Sequence, residues 1–317
     1  MEFGFVMPSL GPMANKADIT SLAQYGEIKG CSYLSAPDHI IIPETIESTY
    51  PYSQTGEFPL RAHNGWLDQL TTLTFIAAIT DKARLLTSVM VVPHRSAVLT
   101  AKMLASIDVL SNGRLTVGCG AGWMREEFEA IGAPPFKERG KVTDEFIDVF
   151  RELWTKDTPE FNGIYNQFTR VIFEPKPVQK PHPPIWTGGE SDAALRRAAR
   201  LADGWFPIGS NPRYPLDTQE RFSTALTKLR KYLSEANRDP ASLELAYFTN
   251  WYREKPEIRD GMRRAFTGNA EDVANDIGWL KNSGVKMILV NCFGATVSET
   301  KERMDHFASE VMSKIGN

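Results

Sequence analysis

Met287-Ile288-Leu289-Val290 is an unbroken apolar run inside a β-prone segment at 286–291. A strand with one face in water alternates apolar and polar residues, so a continuous run reads as a strand covered on both faces. Such strands belong to parallel sheets coated by crossover helices. Working outward, further β-prone runs stand at 3–7, 33–36, 84–92, 114–119, 184–187, 204–208 and 243–248. Helix-period segments lie between them. Phe146, Val149, Phe150, Leu153 and Trp154 fall at i, i+3, i+4, i+7 and i+8, one apolar stripe of a helix. Met304, Phe307, Ala308, Val311, Met312 and Ile315 repeat the pattern behind Thr296-x-x-Glu299, a capping-box spacing. Eight strands alternating with helices predict an α/β fold of the (β/α)8 TIM-barrel class, with a doubly wound open sheet as the alternative.

The chain has 317 residues, enough for two ordinary domains, yet barrels of this size form one unit, so a single domain over 1–317 is expected. Two connections exceed simple barrel loops. Residues 37–64 follow the second strand and are rich in Pro, Tyr, Thr and Ser. Residues 158–183 precede the fifth and contain Phe161-Asn162-Gly163-Ile164-Tyr165, a hairpin pattern, followed by closely spaced prolines. Loops after barrel strands stand on the catalytic face, so the first insertion is expected to cover a site.

Hydrophobic residues make up 42% and charged residues 24%, ordinary globular values that exclude disordered, collagenous and coiled-coil chains. Net charge is −3 with no basic block, which lacks the phosphate attraction of a nucleic-acid binder. Cys31, Cys119 and Cys292 are too scattered for a disulfide framework, and no Cys-x-x-Cys, His-x-His or His-Glu-x-x-His spacing marks a metal site. The uncharged run at 69–80 falls short of the roughly 18 residues of a membrane span, and the start Met1-Glu2-Phe3-Gly4 carries no secretion signal. A cytoplasmic protein acting on a small molecule is expected, without nucleic-acid or membrane partners, as a homodimer or higher homo-oligomer.

Pro184-Ile185-Trp186-Thr187-Gly188-Gly189-Glu190-Ser191 runs from a strand through paired glycines into a helix starting near Asp192. Such a turn lets backbone N–H groups reach a phosphate at a helix N-terminus, with the Ser191 hydroxyl as an extra donor. The plainer reading is a tight turn with Ser191 as N-cap. A third reading is catalytic: Gly189-Glu190-Ser191-Asp192-Ala193 approaches the Gly-x-Ser-x-Gly nucleophile elbow, making Ser191 a hydrolase nucleophile with His306 as its only downstream histidine. Gly118-Cys119-Gly120-Ala121-Gly122-Trp123 ends another strand. It fails the dinucleotide fingerprint at Trp123 but leaves glycines, Gly120 among them, where backbone can approach a ligand closely. Asp38-His39 directly follows the second strand, where barrel enzymes place catalytic side chains, and imidazole moves protons near neutrality. His63, His94 and His182 show no such pattern.

Taken together these segments resemble the luciferase-like monooxygenase superfamily, including its deazaflavin (coenzyme F-420) dependent branch. The resemblance spans Phe3-Gly4-Phe5, Ser35-Ala36-Pro37-Asp38-His39, Trp66-Leu67-Asp68-Gln69-Leu70, Leu86-Thr87-Ser88-Val89-Met90, Leu110-Ser111-Asn112-Gly113-Arg114, Gly118 to Phe128, Phe136 to Gly140 and the Gly188-Gly189 turn. It implies a (β/α)8 barrel that binds FMN or coenzyme F-420 at the strand C-termini. It also implies that Ser88-Val89 forms a bulge, often a non-proline cis peptide, behind the isoalloxazine ring. Gly188, Gly189 and Ser191 match the phosphate contacts, and His39 matches the histidine beside the reactive ring carbon of deazaflavin-dependent dehydrogenases. Those dehydrogenases carry Glu where this chain has Trp123, a departure that favours reduction or monooxygenation of an apolar or aromatic substrate over alcohol oxidation. Trp66 and Trp123 then line the substrate pocket or pack the core, Asp38 orients His39 or bonds local backbone, and Arg139 is expected to be a structural ion-pair partner.

Overall fold

The computed structural model describes residues 1–59, 65–249 and 253–314. His63 and Ile315, both named above, lie outside them. Eight barrel strands occur in chain order: β1 (Glu2–Val6), β2 (Tyr33–Ala36), β3 (Arg84–Thr87, resuming as Met90–Val91), β4 (Leu115–Gly120), β5 (Ile185–Thr187), β6 (Gly204–Trp205), β7 (Glu244–Thr249) and β8 (Val285–Val290). Every neighbouring pair among them is parallel, and β8 pairs with β1. The ring is closed. An open doubly wound sheet is therefore excluded.

The helices follow the strands: α1 (Lys16–Ile28), α2 (Gln69–Ile79), α3 (Ala97–Leu110), α4 (Arg125–Ala130), α5 (Arg139–Thr155), α6 (Asp192–Leu201), α7 (Gln219–Glu235), α8 (Ala270–Asn282) and α9 (Val297–His306). Alternation along β8 shows why its apolar run is continuous. Met287 and Leu289 pack inside the barrel with Val6, Tyr33, Leu86, Trp186 and Phe206. Ile288 and Val290 pack outward against the helices, in the larger core with Phe3, Phe5, Leu34 and Phe307. Truncating a fully buried residue such as Ile288 to Ala costs about 2–5 kcal/mol.

Thr296 caps α9 by accepting from the Glu299 N–H, while the Glu299 carboxylate takes the Ala295 N–H rather than that of Thr296. The helix then loosens into a π-turn over Phe307–Val311. The segment before β5 holds the expected hairpin, with Phe161–Asn162 antiparallel to Gln167–Phe168. A third excursion follows β7, where Ile258–Arg259 pairs with Met262–Arg263. Its sequence carries no alternation that announces it. Among the described residues no helix is long and apolar enough to cross a membrane.

Candidate active site

Pro37 ends β2 and sets Asp38 and His39 on the C-terminal rim of the barrel. The His39 Nδ1 lies 2.6 Å from Glu127 Oε2 in α4. The other Glu127 oxygen accepts the N–H groups of Ile40 at 2.7 Å and Ile41 at 3.3 Å. Glu127 is fully buried. Burial alone raises a carboxyl pKa, but the bond and charge of His39, the nearby His94 and the Ile40 N–H overcome it, and the Glu127 carboxyl falls below its ordinary value. Its neighbour Glu126 accepts from the N–H groups of Glu47 and Ser48, both at 3.0 Å, and the Arg125 N–H donates to the Ser48 hydroxyl. The first turn of α4 therefore holds the insertion after β2 at two points.

Asp38 has a different task. Its carboxylate accepts the Val91 N–H at 2.8 Å and pairs with both terminal nitrogens of Arg95 at 2.9 Å, and Arg95 continues to Asp68 at 2.7 Å. It ties β2 to β3 and, among the described residues, does not bond the His39 ring, whose carboxylate partner is Glu127. Of the two roles expected of Asp38, the structure shows a backbone bond, to β3 rather than to its own loop, while the carboxylate that bonds the His39 ring is Glu127.

Rings surround His39. Trp66 meets it edge-on at 4.9 Å between centroids, with Phe58 at 5.4 Å and Trp123 at 6.2 Å. Tyr50 joins the wall, 5.0 Å from Trp123 and 5.1 Å from Phe58. Two of these four rings, Tyr50 and Phe58, come from the insertion and a third, Trp66, stands just past it, so residues 37–59 do cover this face. His94 is buried behind Glu127, its Nδ1 3.8 Å from Oε1, and neither ring nitrogen has a hydrogen-bond partner among the described residues. Burial lowers its pKa to about 4 against the pull of Glu127, so the ring is neutral at physiological pH.

The bulge in β3 sits beside this group. Leu86 pairs with Thr116, but Met90 pairs with Cys119, so β3 carries one extra residue, and the Ser88–Val89 peptide there is cis. The Ser88 hydroxyl donates to Ser35 Oγ at 3.0 Å. Val89 projects between two glycines: a Cβ on Gly120 would stand 2.5 Å from Val89 Cγ2, and one on Gly188 would stand 3.2 Å from Cγ1. Ser88, Val89, Gly120 and Gly188 are thus brought together as a ridge with bare backbone on either side. Gly189 has φ +101°, a conformation that favours glycine, and leads into α6. This ridge, and a bare turn entering a ten-residue helix, fit a flat tricyclic ring and its phosphate.

Ser191 caps α6 by accepting the Ala194 N–H at 3.3 Å. His306 lies in α9 with its Nε2 4.0 Å from Glu254. The nucleophile reading of Ser191 is therefore set aside. Its position at the head of α6 remains compatible with a phosphate contact. Between Gly189 and Ser191, Glu190 turns inward, is fully buried, and accepts from the Ile208 N–H and Asn211 Nδ2, each at 2.8 Å. Burial pushes its carboxyl up to about 7. Arg139 donates to the carbonyls of Gly122 (3.1 Å) and Phe136 (3.1 Å), which makes it structural as expected, though through carbonyls rather than an ion pair. His182 precedes β5, at the opposite end of the barrel, and its Nδ1 contacts the Pro183 carbonyl. Glu127, Glu190, Phe58 and Tyr50 were not singled out from sequence. The only signal for Glu127 was an acidic pair one helical turn after a glycine-lined strand end.

The chain is 34% identical over 210 residues to an uncharacterized protein of Mycobacterium tuberculosis, covering 66% of this chain and 70% of that one. It is 36% identical over 146 residues to an FMNH2-dependent dimethylsulfone monooxygenase of Pseudomonas putida, covering 45% and 40%. In fold it matches a coenzyme F-420-dependent secondary alcohol dehydrogenase (TM-score 0.76, 17% identity, 100% and 99% covered). It also matches the monooxygenase RslO1 of Streptomyces bottropensis (TM-score 0.75, 21% identity, 99% of each chain). A family description, luciferase-like monooxygenase, fits residues 1–286, the stretch that holds the first seven barrel strands, the bulge, the His39–Glu127 pair and the Gly188-Gly189 turn. The chain belongs to the luciferase-like monooxygenase family.

Proposed function

We propose that this protein is an FMN- or coenzyme F-420-dependent oxidoreductase that reduces or monooxygenates a small, largely apolar organic molecule. The observation that carries the reading is the 2.6 Å contact between His39 and buried Glu127, walled by aromatic rings next to the Val89 ridge. Ser88, Val89 and Gly120 would lie behind the cofactor ring, with Gly188, Gly189 and Ser191 at its phosphate. The bound cofactor supplies the hydride or the activated oxygen. Everything else is the work of this chain.

Glu127 accepts from Nδ1 of His39, which leaves Nε2 as the atom that takes or gives a proton at the substrate. Trp66, Phe58, Trp123 and Tyr50 exclude water from that atom and offer rings to an apolar substrate. The neutral His94 adds no second positive charge beside the pair. The sequence likeness to an FMNH2-dependent monooxygenase supports the flavin, and the fold likeness to an F-420-dependent dehydrogenase supports only the architecture.

Titrating the purified chain with FMN and with coenzyme F-420, followed by absorbance and fluorescence, tests the reading. Saturable binding of one of them is expected. Failure of both to bind would overturn it.

A further inference from the structure

A second imidazole stands behind the His39–Glu127 pair. His94 ends the short 3-10 turn Val92–His94 that follows β3, and its side chain is 1% exposed. Neither ring nitrogen has a hydrogen-bond partner among the described residues. A neutral imidazole still carries one N–H, and buried donors are normally paired, so a position that asked only for bulk would be better filled by an apolar ring. Phe128 already supplies such packing, meeting His94 edge-on at 4.7 Å. What His94 adds is a dipole, whose direction is set by what it faces. Its Nδ1 stands 3.8 Å from Glu127 Oε1, just outside hydrogen-bond range.

The charged and titratable groups around His94 are Glu127 from α4, Asp38 and His39 from the segment after β2, and its own neighbour Arg95. Asp38 and Arg95 are paired with one another, which leaves the Glu127 carboxylate as the anion that the ring meets. Burial holds the ring neutral, so it adopts one of two tautomers. With the proton on Nδ1, the positive end of the ring points at Oε1. With the proton on Nε2, a lone pair points there instead, so the first tautomer is favoured. Glu127 then lies between two imidazoles, His39 on Oε2 at 2.6 Å and His94 toward Oε1, where the Ile40 and Ile41 N–H groups also donate. We propose that His94 is a positioning residue for Glu127: its Nδ1–H faces Oε1, keeps that carboxylate ionised and leaves Oε2 turned to His39. This role rests on the oxidoreductase reading only for what His39 does with its proton. The tautomer and the charge belong to the chain alone.

The test is NMR of the full chain without cofactor, in wild type, His94→Asn, His94→Gln and His94→Phe. Two-bond 1H–15N spectra of protein labelled in histidine give the tautomer of each ring. Carboxyl-labelled glutamate follows the ionisation of Glu127, whose signal is assigned by its absence in Glu127→Gln. Wild-type His94 should show the Nδ1–H tautomer. Asn places its amide nitrogen where Nδ1 stands, Gln places its own where Nε2 stands, and Phe keeps a ring without a donor. Glu127 should therefore titrate in the Asn variant as in wild type. In Gln and Phe its midpoint should rise by about half a pH unit, a roughly threefold weaker hold on the ionised form. A residue that only packs gives the reverse, with Glu127 undisturbed by Phe and disturbed by the shorter Asn. The Nε2–H tautomer in wild type, or equal Glu127 midpoints in the Asn and Gln variants, overturns the role, and that second comparison stands even if the Phe variant does not fold. If the ranking holds but neither FMN nor coenzyme F-420 binds, His94 keeps its role and the oxidoreductase reading alone fails.

Discussion

His39 Nδ1 and Glu127 Oε2 are 2.6 Å apart although 88 residues separate them in the chain. One lies just after β2, the other opens α4, and each is held by something other than its partner. Phe58 and Trp66 pack the imidazole, while the Ile40 and Ile41 N–H groups hold the carboxylate. A pair fixed from both sides keeps its geometry when a substrate arrives, which is what general acid–base catalysis demands.

His39→Asn should leave cofactor affinity unchanged and lower turnover by roughly 10²–10⁴-fold, the usual share of a positioned acid–base group. Rapid-mixing measurement of the reduced-cofactor reaction with substrate decides it. Full turnover in the variant would make His39 a packing residue.

Glu127→Gln separates orientation from proton transfer. The amide still accepts the Ile40 N–H through its oxygen, but it presents NH2 to His39 and forces the opposite tautomer. Turnover should drop about 10–100-fold with KM little altered, the scale seen when a supporting carboxylate is lost. A KM change with kcat preserved would contradict the assignment.

Asp38→Asn should act on stability instead. It neutralises one partner of a buried ion pair with Arg95 and leaves that guanidinium with Asp68 alone. Breaking such a pair costs about 3–5 kcal/mol. Urea unfolding of the variant against wild type measures it, and an unshifted midpoint would mean that Arg95 finds compensation elsewhere.

Gly188→Val should weaken cofactor binding more than tenfold with the fold retained. A Cβ at this position already stands 3.2 Å from Val89 and 3.4 Å from the Phe206 carbonyl, so the two branches of valine must fill the approach beside the ridge. Equal affinity in a folded variant, measured by fluorescence titration, would place the ligand elsewhere.

Stability should fall as pH rises from about 5 to about 7.5, through Glu190. Its carboxyl is raised by burial from an ordinary 4.5 to about 7, so the folded state holds a proton that the unfolded chain has released. The contribution is complete below about 4.5, is lost on the way to pH 7 and stays level above it, on the order of 3 kcal/mol in all. Glu127, lowered in the folded state, works in the opposite sense and is lost only in acid. Denaturant midpoints at pH 5 and 8 should differ less in Glu190→Gln than in wild type. An equal difference in both proteins would refute the role of Glu190.

The barrel was legible because its strands are buried on both faces, and burial is written directly in residue type. β2 begins and ends at the residues expected, and the run in β8 divides between two cores. β6 is shorter than expected: residues 204–208 read as a strand, yet the strand itself is Gly204–Trp205, and Ile208 adds one separate parallel bridge to Phe248. Pro207 has no N–H to continue it, although its carbonyl still accepts from Phe248. The site was half legible. His39 and the Ser88–Val89 bulge stand at strand ends, where position alone marks them. Glu127 does not, because choosing it over Glu126 requires knowing which way α4 faces.

Arg125, Glu126 and Glu127 are consecutive, and between them they grip the insertion at residues 40–41 and 47–48, but nowhere in the stretch that carries Tyr50, Tyr52 and Phe58. The clamped part bears His39, and the part beyond the clamp bears the rings. Changes at Tyr50 and Tyr52 can therefore trade one wall for another while the backbone bonds that hold Glu127 stay in place. On the proposed reading, what is recognised and how it is transformed lie on separate lengths of one loop.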